Sequence, residues 1–163
     1  MFKRILVPLD GSPASARALP YAAEIARKFD SEVVLFQVVE SPPSGRAPAG
    51  VGVYTAATEL AAGAARKSEK AGLERARRYL SSKVRALEAQ GVKATAHVAT
   101  GSPAKAILDY CRKEKVDLVV MTTSGKGGIK RAVLGSVADQ LVRDPTVPEL
   151  VIRPQAPRGK RET

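Results

Sequence analysis

The chain has 163 residues, 44% of them apolar but only 4% aromatic, so it can close one sizeable core and that core must be aliphatic. Its formal net charge of +11 is spread through "ARKSEKAGLERARRYLSSKVR", where basic and acidic residues mix at helical spacing, and the tail "PRGKRET". With few aromatics available for base stacking, this reads as a solvated helix face and a basic tail at 155–163, against specific nucleic-acid binding. One cysteine excludes an internal disulfide, and no window nears the roughly 18 continuous apolar residues of a membrane span. The amino end "MFKRILVPLDGS" is broken too soon by Pro8 and Asp10 for a secretory signal, so a cytoplasmic protein that does not engage membranes is expected.

Five short Val-, Ile- and Leu-rich segments recur in chain order: "RILVPL", "EVVLFQVV", "KATAHVA", "VDLVVMTT" and "ELVIR". Helical patterns separate them, the signature of βα units that build a parallel sheet. Three are nearly continuous apolar runs, as strands covered on both faces require. The third alternates Lys93, Thr95 and His97 with small apolar residues and reads as an edge or half-exposed strand. After the first strand, "GSPASARALPYAAEIARKF" predicts a helix capped by Ser12, with Pro13 at its first position and a bend at Pro20. The same grammar returns at "GSPAKAILDYC", whose Ala104, Ile107, Leu108 and Cys111 share one face, which makes Cys111 a core residue. A long helix before the third strand carries Leu73, Ala76, Leu80, Val84 and Leu87 on one face, and the Pro-, Gly- and Ala-rich segment 41–65 before it is expected to be a mobile loop.

Open parallel sheets place ligands beyond the carboxyl ends of strands, where strand order reverses. "VPLDGS", "QVVES" and "MTTSGKGG" end the first, second and fourth strands. Asp10 has two readings: acceptor for a base amino group or ribose hydroxyl, or a turn former before Ser12. The stretch "TTSGKGGIKRAVLGSVADQLV" is neither a Walker loop nor a GxGxxG fingerprint. Its glycines let backbone N–H groups approach an anion, and Gly135 with Ser136 opens the last helix, where Ser136 and Asp139 have the spacing of a capping box. Lys126, Lys130 and Arg131 are either phosphate partners or a solvated loop. His97, the only histidine, has no acidic or thiol partner at ligand spacing and reads as a strand residue.

The pattern "ILVPLDGS", "GSPAKAIL" and "GKGGIKRAVLGSVADQLV" followed by "VPELVIRP" resembles the universal stress protein family, in its ATP-binding branch, as a single domain over residues 3–154. The resemblance implies a Rossmann-like, adenine nucleotide alpha hydrolase-like α/β fold: a five-stranded parallel sheet of order 3-2-1-4-5 with helices on both faces. It implies ATP, with Mg2+ as the ion that would bridge its phosphates. Pro8 and Asp10 would hold the base and ribose side, and the Val38 backbone would lie against adenine. Met121 and Thr122 would sit near ribose, with Gly125, Gly135, Ser136 and Val137 around the phosphates. The family motif is glycine, two residues, glycine, nine residues, then glycine with Ser or Thr. Gly125, Gly135 and Ser136 match its latter part, and Thr122 stands where the first glycine would be. The implied function is regulatory: an ATP-binding stress-response protein whose nucleotide modulates conformation or binding of a further regulatory protein. No residue offers an evident catalytic base, so slow ATP hydrolysis is the most chemistry expected. The family also implies a homodimer through the last strand near Val151, an apolar edge between Pro148 and Pro154. Thr122 keeps open a second reading, a nucleotide-free dimeric module that binds partners.

Overall fold

Ile5, Leu6 and Val7 are fully buried, and they form the centre of β1 (Arg4–Pro8) in a computed structural model that describes residues 1–40, 56–123, 135–144 and 147–153. β1 pairs in parallel with β2 (Glu32–Val39) on one side and with β4 (Leu118–Thr122) on the other. β3 (Lys93–Thr100) and β5 (Glu149–Ile152) form the edges, giving the parallel order β3-β2-β1-β4-β5 that the family resemblance implied. The sheet begins squarely because Asp117 accepts from the amides of Lys3 (2.8 Å) and Arg4 (2.9 Å), tying the start of β1 to that of β4.

Alternate strand residues build two separate cores, as the two-residue period of a strand demands. Ile5, Val7, Val33, Leu35 and Val120 face α2 (Leu19–Phe29) and α3 (Ala56–Glu88). Leu6, Val34, Phe36, Val119 and Met121 face α4 (Pro103–Glu114) and α5 (Ser136–Val142). Cys111 is a member of the second core, as its helical position predicted, and Ala76, Leu80 and Leu87 of α3 are buried in or against the first. β3 is half exposed at its edge, with Ala94 its one buried residue.

Two local expectations are corrected. The first helix does not bend at Pro20; it is split into a single turn, α1 (Pro13–Ala16), and α2, with Pro20 in the opening turn of α2 where its missing N–H has no intrahelical partner to lose. The segment 41–65 is not loop throughout, because α3 starts at Ala56: the run "AATELAAGAA" is dense in strong helix formers and carries one glycine. Residues 41–55 and the tail lie outside the described residues.

Leu80 is fully buried in the α2/α3 core. Leu80→Ala should lower unfolding stability by about 2–5 kcal/mol in urea denaturation, through lost burial and the cavity left behind. A loss below 0.5 kcal/mol would show that α3 does not cover this face.

Candidate functional site

β1 ends in a tightly specified turn. The Leu9 amide extends the pairing by donating to Phe36 O (2.8 Å), after which Gly11 takes a φ of +83° that a side chain would strain. Asp10 Oδ1 accepts from the Ser12 amide (2.9 Å), and the Ser12 hydroxyl accepts from Ser15 N (3.1 Å), which caps α1. The turn-forming role of Asp10 is therefore realised. On the other side of β1, the Thr123 amide donates to Ile152 O (3.0 Å), and the Gly135 amide returns to Thr123 O (2.8 Å), bringing the start of α5 against the end of β4.

Between these ends lies a cleft of about 950 Å³, at the large end of the range for small-molecule sites. Its floor is Pro8 to Gly11 of the first strand end, Phe36 to Glu40 of the second and Met121 to Thr123 of the fourth. One wall is Gly135 to Ala138 with Pro103 and Ile107 of α4; the other is Gly72, Arg75, Ala76 and Tyr79 of α3. Of the residues singled out in the sequence, Pro8, Asp10, Val38, Met121, Thr122, Gly135, Ser136 and Val137 all line this cleft. Gly125, like Lys126, Lys130 and Arg131, lies outside the described residues.

Two expectations about the α5 start need correcting. Ser136 is not the N-cap: Gly135 is, extended at φ −60° and ψ 156°, and Ser136 is already the first helical residue. The supposed capping box fails with it, since Asp139 N donates to Gly135 O (2.8 Å) while the Asp139 carboxylate binds Arg143 (3.0 and 3.2 Å). Gly135 also has a purely structural requirement, because a Cβ there would stand 3.1 Å from Thr123 O. Its lack of a side chain serves this close backbone approach whatever the cleft binds.

His97 and Cys111 are elsewhere. The His97 ring stacks on Phe36 (5.3 Å between centroids) and meets Tyr110 (4.8 Å) at the exposed β3 edge. Burial, with Glu149 adding to it, pushes the Cys111 thiol up to about 12. Among the described residues no group of three or more His, Cys, Asp or Glu side chains could hold a metal ion, and no helix is long and apolar enough to cross a membrane.

Sequence reasoning missed Gln37, Arg75 and Tyr79. Gln37 Oε1 and the Tyr79 hydroxyl are buried and have no hydrogen-bond partner among the described residues. The lone polar residue inside "EVVLFQVV" was the available signal for Gln37; nothing local marks Tyr79, which reaches the cleft only through the packing of α3.

A doubly wound parallel sheet with a roomy crevice at its strand-order reversal defines an open α/β protein, a class in which ligands sit beyond the carboxyl ends of the strands. The family model for the universal stress protein family matches residues 1–153. The chain is also 34% identical over 153 residues to Universal stress protein MJ0531 of Methanocaldococcus jannaschii, covering 94% of this chain and 83% of that one. It belongs to the universal stress protein family. In fold it is similar to a universal stress protein solved in complex with cAMP (TM-score 0.65, 23% identity, 93% of this chain and 97% of that one). It is likewise similar to a universal stress protein family protein from Arabidopsis thaliana with AMP bound (TM-score 0.61, 20% identity, 94% and 93%).

The position of Cys111 yields a direct test. At pH 8 a thiol held this high is almost wholly protonated, and the thiolate is the reactive form. Ellman's reagent should react with the native protein at least tenfold more slowly than with the urea-unfolded chain; equal rates would place Cys111 at the surface.

Proposed function

We propose that this chain is an adenine-nucleotide-binding regulatory protein of the stress response, taking ATP with Mg2+ and changing conformation or partner binding when it does so. The observation that carries the reading is the convergence of eight residues from three strand ends and the start of α5 on one cleft of nucleotide size. Membership of a family in which one solved relative holds cAMP and another AMP supports the same ligand class. In this reading Pro8, Asp10 and the Val38 backbone take the base and ribose side. Met121 and Thr122 flank the ribose, and Gly125, Gly135, Ser136 and Val137 face the phosphates. Thr122 in place of the first motif glycine puts a side chain beside the ribose and leaves the phosphate end unchanged. The role is binding rather than catalysis: hydrolysis would need an oriented water and base at the γ-phosphate, and slow turnover is the upper limit assigned.

Self-association through β5 belongs to this reading. β5 is an edge strand, with Leu150 36% exposed and Val142 of the neighbouring α5 49% exposed, an apolar edge that a second copy would cover. A nucleotide-free dimer that works only as a partner-binding module is the competing reading, and Thr122 is the residue that favours it.

Melting the protein with ATP and Mg2+ at about 100 times the dissociation constant should add about 2.7 kcal/mol of stability, and mass spectrometry should find adenine nucleotide released on denaturation. Gly125→Val should abolish the shift while leaving the ligand-free melt cooperative. Absence of any shift in the parent protein would hand the function to the partner-binding module. Val151→Lys should turn a dimeric mass into a monomeric one by light scattering, since it sets a charge on the β5 edge; an unchanged mass would move the interface elsewhere.

A further inference from the structure

The outward side of α3 carries a charge pattern that the fold itself does not use. Arg66, Lys70 and Arg77, at i, i+4 and i+11, fall on one line along the helix; Lys67, Arg78 and Arg85, at i, i+11 and i+18, fall on a second. The two rows lie about 90° apart around the axis, and both are outside the arc that Ala76, Leu80 and Leu87 turn to the sheet. All six residues are exposed, and none takes part in an ion pair among the described residues. Glu74 is the one acidic residue on that side between Arg66 and Arg85, and it makes no such pair either. From Lys67 to Arg85 the second row runs roughly 27 Å, at about 1.5 Å per residue. None of the six lines the cleft, so the pattern stands apart from the nucleotide reading.

Charge complementarity selects the partner. A nucleic-acid duplex presents one negative charge per about 1.7 Å of its axis, an unbroken rail that meets such rows in any register. Four of the six residues are arginines, whose guanidinium can bond a phosphate through two N–H groups at once. An acidic protein surface fits less well, because protein interfaces centre on buried aromatic or aliphatic anchors, and between the rows stand only Glu74 and Ser81. A bilayer also fits less well. The apolar face of α3 is already spent on the sheet, and Leu60, exposed ahead of the rows, is a single apolar residue. Contacts to phosphate carry no sequence information, and the rows contain no Asn, Gln or aromatic side chain to address a base. We propose that the outward side of α3 is a sequence-independent docking surface for the phosphate backbone of double-stranded nucleic acid.

The experiment is fluorescence-anisotropy titration of the full chain with short duplexes, DNA of two unrelated sequences and RNA of one, at about 50 and about 200 mM salt. The two DNA sequences should bind equally, affinity should fall at least tenfold between the two salt concentrations, and the tighter of DNA and RNA identifies the source of the phosphate. Arg66→Gln/Lys70→Gln/Arg77→Gln empties one row and Lys67→Gln/Arg78→Gln/Arg85→Gln the other. Each should weaken binding about tenfold or more and make the salt dependence shallower by about 2 to 3 in log–log slope. The control Lys28→Gln/Lys105→Gln/Lys113→Gln removes the same charge from exposed positions elsewhere and should stay within about threefold of the unaltered protein. All three variants should keep the parent melting temperature, since every substituted residue is exposed; if one row variant melts lower, the other carries the test. No binding at the lower salt would overturn the inference, and so would row variants that bind no worse than the control. A tenfold preference between the two DNA sequences would overturn it as well. Tighter binding to vesicles of phosphatidylcholine with about 30% phosphatidylserine than to either duplex would give this side of α3 to a membrane surface instead.

Discussion

The constraint that organises this molecule is that β1 has partners on both edges and cores on both faces. A strand so placed has no contact with water along its length, so Ile5, Leu6 and Val7 must all be apolar and polarity returns only at its ends. The chain leaves β1 towards β2 and comes back later, on the other side, as β4. The strand order reverses between β1 and β4, and the cleft opens at their carboxyl ends. Asp10, directly after the apolar stretch, is the first residue free of the obligation to be buried, and it lies at the mouth of that space.

That constraint also explains which features could be read from the sequence. Continuous apolar runs such as "LVVM" are forced by two-sided burial, so the strands and the parallel sheet were plain, and the alternating "KATAHVA" marked β3 as an edge. Helix ends were less plain because they depend on local geometry shared between neighbours. Pro20 suits the interior of a bent helix and the first turn of a new one equally well in a string of letters; only the packing of α2 decides for the latter. At α5, Ser136 has the better capping chemistry, yet the close approach of Gly135 to Thr123 O moves the helix start by one residue. The first turns of α3 were obscured by the Pro- and Gly-rich neighbourhood that precedes them.

The candidate site divides along the same line. Residues at strand ends announce themselves, because a parallel α/β sheet always places its crevice there, and the spacing from Gly125 to Ser136 carries family information. Gln37 and Tyr79 are of another kind. They come from segments far apart in the chain, and both line the cleft because α3 crosses back over β2 with Gly72 close enough that a Cβ would touch Val39 Cγ1 at 3.0 Å. A pairing made by tertiary packing has no local pattern to betray it.

The length of α3 has a consequence for dynamics. At about 1.5 Å per residue its 33 residues span roughly 50 Å, yet no residue from Glu59 to Arg75 is buried, and burial begins only at Ala76. One continuous helix therefore contains two regimes of protection. Its later turns are locked to the sheet by Leu80 and Leu87, and their amide protons should exchange with solvent only when the whole domain opens. Its earlier turns are held largely by their own alanines and charged residues, and they fray on a far faster scale. The boundary between the regimes falls at Gly72 to Tyr79, which is also the cleft wall. A molecule seated in the cleft would lie against the point where the helix passes from fraying to fixed, so binding there should displace that exchange boundary along α3, away from the ligand itself.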